Sequence, residues 1–167
     1  MRFDTRLITG HSDRVRPEWI DYNGHMNVAY YVLAFDGATD YFADRIGLDA
    51  AYRTRHEASF FAVDMNVGYR REVIEGASLA FTTQLIDFDA KRLHFFHAMW
   101  QVEEGYLAAT NEVLTTHVDM RARRSTPMGA EVLAAVKALW ARQGDLPMPE
   151  GAGRVLGIRR KGAGNGA

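Results

Sequence analysis

Trp19-Ile20-Asp21-Tyr22-Asn23-Gly24-His25-Met26-Asn27-Val28-Ala29-Tyr30-Tyr31 is the stretch that decides how this chain folds. It leads into a segment whose apolar residues recur at helical spacing, namely Val28, Tyr31, Val32, Phe35, Phe42 and Ile46. This spacing predicts a helix over Val28–Ile46 with one buried face. Asn27 is the predicted N-cap, because its side-chain oxygen can accept an N–H of the first turn, and Gly47 is the predicted stop.

Asp21 lies shortly before that helix, where unpaired backbone N–H groups and the positive end of the helix dipole gather. A carboxylate in this position can combine nucleophilic or acid–base chemistry with stabilisation of a developing negative charge. Asp is also common in turns, so a structural role for Asp21 is the alternative. Gly24 is expected to permit a positive φ or the close approach of a substrate.

The composition is that of an ordinary globular chain. It has 167 residues, of which 47% are hydrophobic and 25% charged, and its net charge of −1 gives no case for a nucleic-acid or anionic-membrane partner. Cysteine is absent, which excludes disulfides, thiolate nucleophiles and Cys metal sites. No apolar run is long enough to span a bilayer, so we expect a cytoplasmic protein. His94, His97 and His117 lack the spacing of a zinc site, and we predict no metal.

The remaining segments predict an α+β fold with a long helix against a curved antiparallel sheet. A first strand is expected near Ser12–Val15, interrupted by Pro17, and residues 47–58 are expected to form a connection with room for a helical turn. A last helix is predicted near residues 127–143 of a single domain over residues 1–147. Residues 148–167, with the basic run Arg159–Lys161, are expected to form a flexible tail. Four segments with strand patterns predict an antiparallel meander: Phe60–Tyr69, Ser78–Phe88, Leu93–Val102 and Tyr106–Val118.

This order of segments resembles the hotdog-fold acyl-CoA thioesterases of the 4-hydroxybenzoyl-CoA thioesterase type. The resemblance is carried by the Asp21-x-x-Gly24 loop and by His25-Met26-Asn27, which is similar to the His-Val-Asn variant of many members. Asp36 falls where such helices carry an internal Asp. The resemblance implies a hotdog fold, with a central helix wrapped by five to six antiparallel strands. It also implies a homodimer or homotetramer whose active sites lie between subunits, and hydrolysis of an acyl-CoA.

The resemblance also implies roles for particular residues. By position, Asp21 matches the family's catalytic carboxylate, acting as nucleophile or as general base on water, and the amide of Val28 matches the donor that polarises the thioester carbonyl. His25 departs from members with an apolar residue there, which leaves open a second acid/base group or an orienting role. No cofactor is expected beyond the CoA of the substrate. The residues expected to contact substrate are Trp19, Tyr22, Asn23, Gly24 and Asn27 near the loop, with Lys91 and Arg92 on the CoA phosphates.

A longer match, Arg16–Met26, is similar to family members of carnitine breakdown that hydrolyse betainyl-CoA. Under that interpretation Trp19 and Tyr22 are expected to face the trimethylammonium group, because aromatic faces attract such cations. Two alternatives remain open. Asp21-x-Asn23-x-His25 is close to the loop of hotdog-fold enoyl-CoA hydratases and dehydratases, although one residue short of its spacing. A non-catalytic acyl-CoA-binding module would bind the ligand without turnover.

Overall fold

A computed structural model of the chain describes residues 2–158. Its long helix α1 spans Val28–Arg45 and begins as predicted, with Asn27 as N-cap and the Asn27 Oδ1 atom accepting the Ala29 N–H at 3.0 Å. The helix ends one residue before the predicted end. Gly47 follows in the left-handed region, with a φ of +81°, and this geometry turns the chain out of the helix.

One antiparallel sheet of six strands packs against α1, as the α+β prediction requires. The strand order is β1-β3-β4-β5-β2, with β6 added beside β5. Two shorter helices complete the chain, α2 over Ala50–His56 and α3 over Ala130–Gln143. The strands are β1 Ile8–Arg14, β2 Ala58–Tyr69, β3 Ser78–Phe88, β4 Arg92–Gln101, β5 Tyr106–Asp119 and β6 Arg124–Ser125.

The predicted four-strand meander is wrong in its order. Only β3, β4 and β5 follow one another in space, whereas β2 pairs with β5 along the opposite edge. Residues 70–77 connect β2 to β3 and are too long for the two- to five-residue loop of a hairpin. Val73 in this connection is fully buried, so the connection crosses the end of the core and carries the chain from one side of the sheet to the other.

The predicted first strand is also misplaced. β1 begins at Ile8 and ends at Arg14, and Pro17 opens a short 3-10 helix over Pro17–Trp19. Proline suits the first position of a helical turn because it has no N–H to leave unpaired there. As a result Trp19 turns inward and is only 2% exposed.

The core lies between α1 and the inner face of the sheet. Phe35 meets Phe81 edge-on at 5.9 Å between ring centroids, and Phe42 meets Phe95 at 4.7 Å. All four rings are buried, and burial of each stabilises the fold by about 2–3 kcal/mol. The core also encloses a neutral histidine, His97, whose pKa burial lowers to about 3.

Both ring nitrogens of His97 have partners. Its Nδ1 atom lies 2.8 Å from the Thr83 hydroxyl, and its Nε2 atom lies 3.0 Å from the Thr39 hydroxyl. Thr39 in turn donates to the carbonyl of Phe35 at 3.0 Å. Since that bond uses the only proton of Thr39, His97 carries its own proton on Nε2.

The segment after α3 crosses the outer face of the sheet. Gln84 donates to the Pro147 carbonyl at 3.2 Å, the Gly153 N–H donates to the Glu112 carboxylate at 2.8 Å, and Arg154 donates to Asn66 Oδ1 at 2.7 Å. Pro147, Gly153 and Arg154 are thus held against the sheet, whereas Val155, Leu156 and Ile158 are 87%, 91% and 81% exposed, and the flexible tail stays a prediction. The predicted basic run Arg159–Lys161 lies outside the described residues. Within residues 2–158, no helix has the length and apolar character needed to cross a bilayer.

Candidate active site

The loop of Asp21 is a tight hairpin. The Asp21 N–H donates to the His25 carbonyl at 3.1 Å, and the Gly24 N–H donates to the Asp21 carbonyl at 3.0 Å. Gly24 has a φ of +81°, as predicted, in the position where a three-residue hairpin needs a left-handed residue. The Asn23 N–H donates to Asp21 Oδ1 at 2.8 Å. Asn23 thus has the turn role that its sequence position indicated.

Two backbone hydrogen bonds fix this loop to the body of the protein. The Met26 N–H donates to the Val73 carbonyl at 2.8 Å, and the Asn27 N–H donates to the Trp19 carbonyl at 2.9 Å. Met26 is 1% exposed and anchors the loop in the core. The loop therefore holds Asp21 in a fixed place relative to the start of α1.

The start of α1 presents a free donor. Asn27 caps the Ala29 N–H, but the Val28 N–H has no acceptor among residues 2–158. The first N–H groups of a helix have no partner within it, and the helix dipole adds positive charge there. The amide of Val28 is therefore available to bind an oxyanion, and its role as the oxyanion donor stays a prediction.

Asp21 keeps one carboxylate oxygen available. Oδ1 accepts the Asn23 N–H, whereas Oδ2 has no hydrogen bond within the described part of the chain. The side chain is partly exposed, so water or a substrate can reach it. A carboxylate with one fixed and one free oxygen can act as nucleophile or as base.

A cavity of about 200 Å³ lies beside the loop and the helix start. His25 opens onto it, with its Nε2 atom 3.8 Å from Glu72 Oε2. Within residues 2–158, no hydrogen bond joins the His25 side chain to the Asp21 carboxylate. The other residues that line the cavity were not predicted from the sequence. They come together because β2 ends at Tyr69, which lies over the start of α1. The lining residues are His25, Met26, Val28, Tyr31, Tyr69, Arg70, Arg71 and Glu72.

Two tyrosines shape this cavity. Tyr31 and Tyr69 meet edge-on, with 5.2 Å between ring centroids, and the Tyr69 hydroxyl donates to the Val28 carbonyl at 3.3 Å. Burial raises the pKa of Tyr31 to about 12, so its hydroxyl keeps its proton at neutral pH. These rings fix the first turn of α1 and hence the direction of the Val28 amide.

The two aromatic residues predicted to face the substrate lie in different environments. The Trp19 ring stacks on Tyr30 at 5.5 Å, and the Arg16 guanidinium lies 4.8 Å from its centre. The ring is also buried, at 2% exposure, and the predicted ligand contact of Trp19 stays a prediction. Tyr22 is at the tip of the loop and is 96% exposed, which leaves its predicted contact open.

Lys91 and Arg92 are not brought to Asp21. Lys91 lies in the turn between β3 and β4 and Arg92 begins β4, at the end of β3 that is about 30 Å from its first residue, Ser78. Asp89 holds this turn: Oδ1 accepts the N–H of Lys91 at 2.8 Å and Oδ2 accepts Arg92 Nε at 2.7 Å. These bonds lower the Asp89 pKa to about 2. In one subunit, the predicted site is therefore divided between opposite ends of the sheet.

A second cavity, of about 380 Å³, lies between α1 and the strands β2 and β5. One signal of it is visible in the helix pattern, because Ala29, Leu33 and Asp36 recur on one helix face. The other lining residues lie on β2 and β5, and they meet at this cavity because these two strands pair. The lining residues are Ala29, Val32, Leu33, Asp36, Thr39, Ala62, Met65, Asn111 and Val113.

The edge strand β2 exposes an apolar surface next to this cavity. Phe61, Val63 and Met65 are 45%, 55% and 44% exposed, and Leu33 of α1 is 52% exposed. An exposed edge strand with apolar side chains is a site for pairing with another chain.

Comparison with known proteins identifies relatives over almost the whole chain. Residues 15–136 match the sequence model of a family described as the thioesterase-like superfamily. A betainyl-CoA thioesterase of Pseudomonas aeruginosa is 41% identical over 154 residues, which are 92% of this chain and 97% of that protein. An L-carnitine dehydrogenase/betainyl-CoA thioesterase of Rhizobium meliloti is 36% identical over 147 residues, and this chain spans 29% of its length.

Solved structures show the same architecture. A hypothetical protein from Staphylococcus aureus in complex with CoA superposes with a TM-score of 0.85 at 29% identity, covering 92% of this chain and 96% of that one. A putative thioesterase from Pseudomonas putida has a TM-score of 0.79 at 31% identity, covering 92% and 98% of the two chains.

Proposed function

This chain belongs to the thioesterase-like superfamily as a hotdog-fold acyl-CoA thioesterase, and we propose that its substrate is betainyl-CoA. The observation that carries the proposal is the 41% identity to a betainyl-CoA thioesterase over nearly the full length of both chains. The reaction adds water to the thioester, and its products are glycine betaine, the thiol of CoA and a proton. This reaction needs a nucleophile or base beside the carbonyl and a donor for the developing oxyanion.

We propose that Asp21 supplies the first of these groups. Its free Oδ2 atom either removes a proton from the attacking water or attacks the carbonyl carbon itself; in the second route the C–S bond breaks, CoA leaves as the thiolate and takes up a proton, and water then hydrolyses the mixed anhydride. Both routes need the carboxylate to be ionised and fixed, and the Asn23 N–H holds its other oxygen. Gly24 supports this arrangement because a side chain there would strain the turn.

The Val28 amide is the proposed oxyanion donor. It is unpaired in the described chain, it stands at the positive end of an 18-residue helix, and Asn27 and Tyr69 fix the turn around it. One such donor contributes about 3–4 kcal/mol to lowering the barrier. His25, on the wall of the adjoining cavity, is placed to orient the substrate or to protonate the leaving thiolate.

We propose that the enzyme works as a homodimer, or as a tetramer of such dimers, through the β2 edge. Antiparallel pairing of β2 with its copy continues the sheet and covers the exposed side chains of Phe61 and Val63. A two-fold axis across this edge reverses the strand direction. The partner's β3–β4 turn then lies at the same end as the Asp21 loop, where Lys91 and Arg92 could meet the phosphates of CoA. A cytoplasmic location stays a prediction.

The release of free thiol from a panel of CoA esters tests this proposal. The panel contains betainyl-CoA, a straight-chain acyl-CoA and an aromatic acyl-CoA at equal concentrations. We expect the highest kcat/KM for betainyl-CoA. A higher value for either of the other esters would overturn the proposed substrate, and binding of the esters without thiol release would overturn the proposed activity.

A further inference from the structure

The cavity between α1 and the strands β2 and β5 has apolar walls and one charged group. Val32, Leu33 and Val113 contribute hydrocarbon, and Asp36 is the only ionisable residue in its lining. Asp36 is exposed to solvent, although the apolar walls remove part of the hydration of its carboxylate on the cavity side, where it gains no counter-ion from the described part of the chain. Within residues 2–158, no salt bridge or hydrogen bond engages the Asp36 side chain.

The cavity begins where the reaction is proposed to take place. Ala29 lines it, one residue after the Val28 amide. Asp36 is eight residues beyond Val28, which is about 12 Å along the helix at 1.5 Å per residue. Side chains on a helix lean toward its N-terminus, so the carboxylate is closer to the thioester position than its backbone is. The cavity volume of about 380 Å³ is sufficient for a small acyl group.

The two cavities at the helix start differ in charge. The one beside the Asp21 loop is lined by Arg70, by Glu72 and by Arg71, which pairs with Glu104 at 2.7 Å, whereas the one along α1 contains Asp36. A CoA ester is anionic at its nucleotide end. Electrostatic complementarity therefore directs CoA to the arginine side and leaves the carboxylate side for a cationic acyl group.

A buried amide also lacks a partner in this cavity. Asn111 is 2% exposed, its Nδ2 atom reaches only the sulfur of Met65 at 3.8 Å, and its Oδ1 atom has no hydrogen bond in the described chain. A buried polar atom without a hydrogen-bond partner is destabilising, and a bound ligand that pairs with it removes that cost. An amide oxygen adds negative potential and can turn toward a cation that lacks N–H groups.

We propose that Asp36 is the counter-ion that selects the trimethylammonium end of the acyl group, with Asn111 as a second negative pole and the apolar walls around the methyl groups. This inference rests on the proposed betainyl-CoA substrate and assigns the specificity of its site. A quaternary ammonium cannot donate a hydrogen bond, so charge and apolar contact are the means by which a protein recognises it. Asp36 is thus a specificity residue rather than a part of the hydrolytic machinery.

The electrostatics of Asp36 agree with this role. Burial raises the pKa of Asp36, and the neighbouring charge of Asp40 raises it further. A cation bound in the cavity would reverse this effect and favour the ionised carboxylate.

The experiment compares betainyl-CoA with 3,3-dimethylbutanoyl-CoA, in which carbon replaces nitrogen and the charge is lost while the shape is kept. The readout is the ratio of kcat/KM for the two esters, which does not depend on the fraction of active protein. We expect wild type to favour betainyl-CoA and Asp36→Asn to lower the ratio by 10- to 100-fold, mainly through the charged ester. Asp40→Asn is the matched control, because it removes the same charge one turn away outside the cavity lining, and its ratio should stay within twofold of wild type.

The outcomes separate the two proposals. A wild-type ratio near one, or no turnover of betainyl-CoA, overturns the proposed substrate. A wild-type preference that Asp36→Asn retains overturns the role of Asp36 and leaves the substrate standing. Equal loss of activity on both esters in a folded Asp36→Asn protein also overturns the role, because a counter-ion acts on the cation alone.

A measurement on wild type keeps the inference testable if Asp36→Asn does not fold. The ratio for the two esters is recorded from pH 8 downward, so that changes in the shared chemistry cancel. Protonation of Asp36 removes the counter-ion, and the ratio is expected to fall toward one as the medium becomes acidic. A ratio that is constant down to pH 4 would overturn the inference.

Discussion

Two of the turns in which an aspartate accepts a backbone N–H, the Asp21 loop and the β3–β4 turn, differ in whether the carboxylate is left free to react. In the Asp21 loop and in the β3–β4 turn, the Oδ1 atom accepts the N–H of the residue two positions on, at 2.8 Å in both cases. At the β3–β4 turn, Asp89 also accepts the Arg92 N–H and pairs through Oδ2 with the Arg92 guanidinium. Asp21 has no such partner in the described chain.

The difference lies in what surrounds each carboxylate. The Arg92 guanidinium neutralises the charge of Asp89 and binds its second carboxylate oxygen. The Asp89 carboxylate therefore serves to stabilise the turn. Asp21 faces the start of α1, where the Val28 N–H is also unpaired among residues 2–158. A turn aspartate thus becomes a candidate for chemistry when its second oxygen and a nearby donor are both left unpaired.

Apart from the loss of Asp21 itself, the largest effect on activity in this comparison is expected from removing the Val28 N–H, the donor at the start of α1. Val28→Pro deletes the N–H at the first helical position, where proline is tolerated, and Asn27 already has the extended ψ of 144° that a following proline requires. We expect kcat to fall by about 100- to 1,000-fold, because one oxyanion donor is lost. Steady-state kinetics on betainyl-CoA measures the effect.

Val28→Ala is the control for that change. It keeps the amide and removes only an exposed side chain, so kcat should stay within a fewfold of wild type. Equal activity of the two variants would show that this amide does not stabilise the transition state.

The core contains a polar side chain, His97, whose two ring nitrogens both have hydrogen-bond partners. His97 is neutral in the core, with a pKa of about 3, whereas it titrates near 6.5 when unfolded. The unfolded chain therefore binds more protons below pH 6.5, and the free energy of unfolding decreases as the pH falls through this window toward 3. The decrease amounts to about 1.4 kcal/mol per pH unit for this one group. Urea unfolding between pH 7.5 and 5 checks the slope, and constant stability over that range would contradict the burial of His97.

Two glycines with the same backbone φ, one in the Asp21 loop and one after α1, allow the effect of backbone strain on activity to be separated from its effect on stability. Gly24 and Gly47 share a φ of +81°, and a Cβ at either position would meet nothing within 4 Å. Each substitution to alanine should therefore cost about 1–2 kcal/mol of stability from backbone strain alone. Gly24→Ala is also expected to lower kcat/KM about tenfold, because it shifts Asp21, whereas Gly47→Ala is expected to leave it unchanged. Thermal unfolding and thiol release measure the two effects, and equal kinetics would argue against a fixed loop geometry.

Asp89→Asn should have the smallest effect. The exposed pair with Arg92 is screened by solvent, so we expect a loss of less than about 1 kcal/mol and an unchanged kcat. The contribution of Asp89 is present above pH 3.8 and is lost as the pH falls toward its folded pKa of about 2. Chemical denaturation at pH 7 and pH 2.5 tests this, and a large fall in kcat would place Asp89 in the chemistry.

Local signals explain why much of the fold and loop could be predicted. The α1 pattern, its Asn27 cap and the positive φ of Gly24 each depend on residues that are neighbours in the chain. The strand segments were likewise found within a few residues at each end. Propensity, capping and turn chemistry act over that range.

What could not be predicted depends on contacts between distant segments. Whether β2 pairs with β3 or with β5 is decided by the buried crossing of residues 70–77, which no local pattern reveals. That crossing places Tyr69 over the helix start, and β5 brings Asn111 to the cavity that holds Asp36. The burial of Trp19 could not be predicted for a similar reason, since its ring enters the core through a 3-10 turn.

The most direct test of the central claim is kcat/KM on betainyl-CoA for Asp21→Asn beside Asp89→Asn. The amide oxygen that Asp21→Asn introduces can still accept the Asn23 N–H, so the loop should persist while the negative charge is lost. We predict a fall of at least about 1,000-fold for Asp21→Asn, with a thermal midpoint close to that of wild type, and near-wild-type activity for Asp89→Asn. A folded Asp21→Asn enzyme with activity within tenfold of wild type would contradict the account.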